Sequence, residues 1–167
     1  AILRRVDAQG ALLGSELDLG DCDSSPRLAV ASGNGHHLAC WGHGGAVAEF
    51  DCASVAAGTG AVTQGIRVTG GTLPTLAFRS GEFMLAYQSG TTMSFQPLND
   101  DATAKGAASS FGGAVLDLEL APMTNGFGVA YATSSDDLEM IHLDPSGFPT
   151  AALFTFSSQG SGFVGPL

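Results

Sequence analysis

Apolar residues fall in short runs, many of them alternating with polar ones, and turn-forming residues close each run. The runs recur. An apolar pair, Leu-Ala, stands at Leu28-Ala29, Leu76-Ala77 and Leu120-Ala121. A second segment follows each time: Leu38-Ala39-Cys40-Trp41, Leu85-Ala86-Tyr87 and Val129-Ala130-Tyr131. Then comes an apolar residue followed by Asp or Asn, at Phe50-Asp51, Leu98-Asn99 and Leu143-Asp144, with an extra copy at Val6-Asp7. These last copies lie 44, 48 and 45 residues apart, and the aromatic-bearing segments 47 and 44 apart. Two landmarks with one period indicate an internal repeat.

Each repeat reads as four short strands. The first full copy predicts strands near 27–32, 37–42, 46–51 and 61–68, with 53–60 as an Ala/Gly-rich separator. The second predicts 75–79, 83–88, 91–97 and 106–111, and the third 116–121, 127–132, 138–143 and 150–156. Residues 1–20 read as the outer two strands of a further copy, joined through Asp7-Ala8-Gln9-Gly10. Gly interrupts every candidate helix, so the chain reads as all-β. Four antiparallel strands every ~45 residues is the pattern of β-propeller blades. The expected organisation is one repeat domain over 1–167: a partial blade at 1–20 and blades at 26–68, 74–113 and 116–158. That is about three and a half blades, where closed rings have roughly 4–8. A β-trefoil is the alternative, disfavoured by the partial copy at the N-terminus. Trp41, Tyr87 and Tyr131, and separately Asp7, Asp51, Asn99 and Asp144, are expected at equivalent structural positions of the repeats.

The chain has 6 Lys+Arg against 16 Asp+Glu, a net charge of −10, which argues against nucleic-acid or anionic-lipid partners. No apolar run reaches the ~18 residues of a membrane-spanning helix. The sequence opens at Ala1, as a piece of something longer or a matured chain would. Cys22, Cys40 and Cys52 are an odd number, which excludes a complete disulfide framework. Cys40, inside a predicted second strand, is expected to be a buried, inert thiol, and the strand placement disfavours a Cys22–Cys52 bridge.

The apolar-Ala-aromatic strand and the apolar-Asp-x-x-Gly hairpin (Val6-Asp7…Gly10, Leu143-Asp144…Gly147) resemble the repeats of large secreted bacterial β-propeller proteins. The resemblance covers nearly the whole chain. It implies an extracellular or cell-surface setting and no assigned chemistry. WD pairs, sialidase-type Asp boxes and integrin-type calcium loops are absent from the sequence.

Candidate chemistry is sparse. His36 and His37 are strand neighbours that point to opposite faces, and His43 lies at the other end of the strand, which disfavours a shared metal. His142 stands alone. Asp21, Asp23 and Ser25 alternate like the opening of a calcium loop, but Pro26 stands where that loop needs Gly, so an ordinary acidic loop is the preferred reading. Asp136-Asp137-Glu139 reads as a solvated hairpin and Asn99-Asp100-Asp101 as turn chemistry. No nucleophile motif is present. With no catalytic residue and no cofactor assigned beyond that weak calcium candidate, an enzyme is the less favoured reading. The sequence points to a non-catalytic interaction or structural module, with part of a carbohydrate-active hydrolase propeller as the alternative. The expected partner is a protein or further blades completing the ring, because open blade ends would expose apolar faces.

Overall fold

The computed structural model describes residues 1–7, 9–22, 27–43, 47–134 and 137–156, the last six as backbone. Among them are fourteen strands and no helix. β1 (Ile2–Val6) and β2 (Leu12–Asp18) form a two-stranded sheet. β3 (Leu28–Gly33), β4 (His36–His43), β5 (Glu49–Ala56) and β6 (Val62–Thr69) form the first full sheet. β7 (Gly71–Arg79), β8 (Glu82–Ser89), β9 (Thr92–Leu98) and β10 (Ser109–Phe111) form the second. β11 (Val115–Met123), β12 (Gly126–Thr133), β13 (Leu138–Leu143) and β14 (Pro149–Phe156) form the third. Every sheet is an antiparallel meander in chain order. Three separate four-stranded sheets are blades, and the trefoil is set aside.

Local sequence explains the meander. Asn34 (φ 48°) and Gly35 (φ 75°) turn β3 into β4, and Ser80 (φ 49°) with Gly81 (φ 89°) does the same for β7 and β8. Two consecutive positive φ values match the strand twist of a two-residue hairpin, and Asn-Gly reaches them cheaply. Gly126 opens β12 at φ 141°, where a Cβ would lie 1.9 Å from the Leu143 carbonyl oxygen, so only glycine fits there.

The second strands β4 and β8 are sandwiched between neighbouring sheets and are apolar on both faces, whereas β12 meets a neighbouring sheet on one face. Leu38 and Cys40 of β4 pack with Phe83 and Leu85 of β8 in one core, and Met84 and Ala86 of β8 pack with Phe127 and Val129 of β12 in the next. Ala39, Trp41, Ala53 and Val55 form a smaller core against Leu3 and Leu17 of the N-terminal sheet and Leu19 just after it. The first strands β3, β7 and β11 lie against one another, with β7 in the middle, and form the inner side of the array.

Trp41, Tyr87 and Tyr131 each stand fifth after the opening residue of a second strand, all three facing the preceding sheet. The acidic positions do not all align. Asp7 Oδ1 accepts from the backbone N–H of Gln9 (2.9 Å) and Ala11 (2.8 Å) at the third-to-fourth-strand turn. Asp144 Oδ1 accepts likewise from Ser146 (2.9 Å) and Phe148 (3.0 Å). Asn99 closes the same turn, its N–H donating to the Thr103 carbonyl (2.9 Å). In the first full sheet that place belongs to Ala56, whose N–H donates to Ala61 (2.9 Å). Asp51 instead stands early in β5, opposite Trp41 and Arg67. The third strand continues to Ala56 through residues read from sequence as a separator. Small residues there are core, not turn. Leu28-Ala29 is likewise out of phase by two, and Val30-Ala31 matches Leu76-Ala77 and Leu120-Ala121 when counted from the hairpin.

Cys40 and Cys52 face each other across β4 and β5, Cα atoms 4.0 Å apart, and form a disulfide. Cys40 is fully buried, but it is not a thiol. The predicted strand 46–51 ends before Cys52, whereas β5 runs on to Ala56 and sets Cys52 opposite Cys40. Cys22 is exposed and free.

Candidate functional site

Two polar constellations stand out. The first is at the inner side. Arg27, just before β3, reaches past the second full sheet, and its Nη1 donates to Asp117 Oδ1 of β11 at 2.6 Å. The pair is half-exposed, so it contributes roughly 0–1 kcal/mol to stability. Asp117 Oδ1 also accepts from the Leu118 N–H at 2.9 Å. The guanidinium chiefly, and then this backbone donor, hold the Asp117 carboxyl below the usual carboxylate range. A β-bulge between Val115 and Asp117 shifts the register of β11 just here, and bulges re-aim side chains. Asp117 and Glu119, opposite Ala132 and Ala130, share the solvent-facing side of the strand while Leu118 and Leu120 turn into the core. Two residues of strand set their Cα atoms about 6.6 Å apart.

The second constellation lies across β4, β5 and β6. Asp51 takes both arms of Arg67, Nε at 2.6 Å and Nη2 at 2.8 Å, and His43 Nε2 at 2.5 Å. It lines an open cavity of about 530 Å³ with His43, Gln64 and Arg67. The Arg67 hydrogen bond is the largest influence on Asp51; burial opposes it, His43 supports it, and the net result is a lowered pKa. Every oxygen is engaged, so the cluster works as a clamp joining three strands. A depressed carboxylate stabilises the fold above the unfolded-state pKa, about 3.9, and loses that contribution as pH falls through the folded value. Urea midpoints measured from pH 6 to pH 2 should therefore drop below about pH 4. Asp51→Asn should flatten that dependence and cost about 1–2 kcal/mol at neutral pH, discounted because Arg67 is largely exposed. An unchanged pH profile in the variant would count against the clamp.

The other sequence candidates are dispersed. His36 meets Ser54 (3.0 Å), His37 meets Ser32 (2.7 Å) and His142 meets Thr150 (2.7 Å). The Asp21 carbonyl accepts the Trp41 indole N–H at 2.9 Å. Asp23 and Ser25 lie outside the described residues, as does Asp136. Among the described residues no three His, Cys, Asp or Glu side chains group as a metal site would require. Asp101 caps its turn through Thr103, and Glu139 accepts from the Tyr131 hydroxyl, whose pKa is raised by burial and by that carboxylate. The Arg27–Asp117 pair was not singled out from sequence. The one signal for it is the alternation Leu116-Asp117-Leu118-Glu119-Leu120, which marks a strand with one acidic face.

No family model and no curated protein matches this sequence. Solved structures do. An exo-β-1,3-galactanase from Phanerochaete chrysosporium, solved with β-1,3-galactotriose, is similar with a TM-score of 0.55 at 12% identity, over 95% of this chain and 42% of that one. The catalytic domain of a GH62 α-L-arabinofuranosidase from Coprinopsis cinerea is similar with a TM-score of 0.54 at 12% identity, over 83% of this chain and 53% of that one. The fold is that of a β-propeller. The chain spans about half, or less, of each of these structures. The sequence resemblance to bacterial secreted repeats extends to the propeller fold and no further.

Among the described residues no helix is long and apolar enough to cross a membrane.

Proposed function

We propose that this chain is part of a carbohydrate-active β-propeller, and that the inner acidic face of β11 is where it meets glycan. The observation that carries this reading is the Arg27–Asp117 pair, an ionised carboxylate held at the inner side by a guanidinium from two sheets away. Its support from likeness is that both solved propellers named above are glycosidases. An ionised carboxylate accepts hydrogen bonds from sugar hydroxyls, and in glycoside hydrolysis it serves as base or nucleophile. Hydrolysis also needs a second carboxyl, about 5–10 Å away, that protonates the leaving oxygen. Glu119, two residues along on the same face of β11, is the second acid this chain offers there. The disulfide supports an extracellular setting, since such bonds persist in oxidising compartments. In this reading the chain supplies part of a ring, and interaction with other blades is part of its role without being the whole of it.

Binding of β-1,3-linked galacto-oligosaccharides and hydrolysis of aryl α-L-arabinofuranosides by the 167-residue chain test the proposal. Measurable binding is expected, weakened roughly tenfold or more in Asp117→Asn, because a hydrogen bond to a charged group contributes about 1.5–3 kcal/mol. No binding, or equal binding by the variant, would sink the carbohydrate reading and leave a purely structural or protein-binding module.

A further inference from the structure

We infer that Leu73 is a positioning residue for the inner site: its side chain anchors the start of β11 and so sets where the bulge there presents Asp117 to Arg27. The consequence for glycan binding rests on the reading given above, whereas the placement of Asp117 does not.

Leu73 breaks two local rules at once. Its φ is 55°, in the left-handed region that Gly or Asn enters far more cheaply than a bulky residue. Pro74 follows, and the residue before a proline is ordinarily pushed toward extended backbone. A β-bulge lies at the same place, between Thr72 and Thr75 in the pairing of β7 with β8. Such strain persists only where the surrounding structure holds it. Here the hold is the Leu73 side chain, partly buried against the core between the second and third full sheets.

The matching half of the pattern is in β11. Val115 is 8% exposed and Leu118 2%, although they are three residues apart, while Leu116 and Asp117 between them are exposed. A regular strand alternates faces and does not bury two residues at that spacing. The bulge between Val115 and Asp117 supplies the extra residue and turns Leu116 and Asp117 both outward. Val115 must therefore stay in the core for Asp117 to point where it does. Thr75 Oγ1 accepts from the Leu120 N–H at 3.3 Å, which fixes β7 beside β11. As first strands of successive blades the two run the same way, so Leu73, two residues before Thr75, stands level with Leu118. That is the end of the core where Val115 enters. The charged groups about Asp117 are Arg27 at 2.6 Å and Glu119 on its own strand. β7 carries no charged residue before Arg79 and β12 carries none, so the titration of Asp117 reports its contact with Arg27.

The experiment follows the Asp117 carboxyl carbon by NMR through an acid titration of the 167-residue chain and its variants. In Leu73→Ala the midpoint should lose its depression and rise toward the ordinary value of about 3.9. Leu73→Gly should raise it equally, although it relieves the backbone strain, and Leu73→Met, which refills the space, should restore the native midpoint. Leu73 is only partly buried, so these variants keep the fold. Met93→Ala empties a fully buried place in the same core and should leave the midpoint where it is. Binding of β-1,3-linked galacto-oligosaccharides should weaken in Leu73→Ala about as much as in Asp117→Asn, roughly tenfold. A native midpoint in Leu73→Ala or Leu73→Gly, no rescue by Leu73→Met, or an equal rise in Met93→Ala would each overturn the proposal. If the native chain binds no glycan, the carbohydrate reading falls, and the midpoints still decide the role of Leu73.

Discussion

Trp41→Ala is expected to lower the unfolding free energy by about 3–5 kcal/mol, the usual cost of emptying a buried aromatic site. Trp41 is 1% exposed and is the large side chain in the small core between the N-terminal sheet and the first full sheet. Its neighbours there are Ala39, Ala53, Val55 and Leu19, none large enough to move into the space. The indole also donates to the Asp21 carbonyl, which fixes the connection out of β2. Removing the ring empties the core and frees that connection together. A domain of this size has a net margin of about 5–15 kcal/mol, so the loss is a large fraction of it. Trp41→Phe keeps most of the packing and gives up the hydrogen bond, for an expected cost of about 1–2 kcal/mol. Urea denaturation of the two variants checks both values. If Trp41→Ala cost less than Trp41→Phe, the N-terminal sheet would not be docked as described.

The equivalence of Trp41, Tyr87 and Tyr131 was legible in the sequence because a buried second strand carries the same burden in every blade. Each such strand turns Trp41, Tyr87 or Tyr131 toward the preceding sheet, so apolar residues run through it and recur at the blade period. The Asp7 and Asp144 hairpins were legible for a different reason. Their carboxylates cap backbone N–H groups of the turn, a local bond that needs Asp at one place and Gly three residues later. Where the turn closes without a side chain, as at Ala56, the signal disappears. The nearest apolar-Asp pair, Phe50-Asp51, then takes its place in the pattern by accident.

The candidate site was less legible because its parts are far apart in the chain. Arg27 and Asp117 are 90 residues apart, and only the stacking of three sheets brings them together. Neither sits in a motif. The clamp of His43, Asp51 and Arg67 is similarly invisible, since its three members come from three strands whose register depends on hairpin lengths.

Breaking the Cys40–Cys52 bond is the second change with a large expected effect, at about 3 kcal/mol. The bond closes a loop across a sequence separation of 12, and closing a loop of that length removes about 10 cal/mol/K of entropy from the unfolded chain. Both half-cystines are buried, in a core shared with Leu38, Phe50, Phe83 and Leu85. Cys40→Ala with Cys52→Ala therefore removes the cross-link and also two sulfur atoms from a packed interior, so the double variant should fall slightly further than the reduced protein. For a chain of this size the expected decrease in Tm is about 6–12 °C. Thiol titration separates this from the alternative of three free cysteines. Denatured, unreduced protein should titrate as one thiol, belonging to Cys22, and reduced protein as three. Three thiols without reductant, or an unchanged Tm after reduction, would refute the bond. A bridge from Cys22 to either partner would leave a buried thiol at the centre of the first full sheet, and slow labelling of one cysteine in the native state would reveal it.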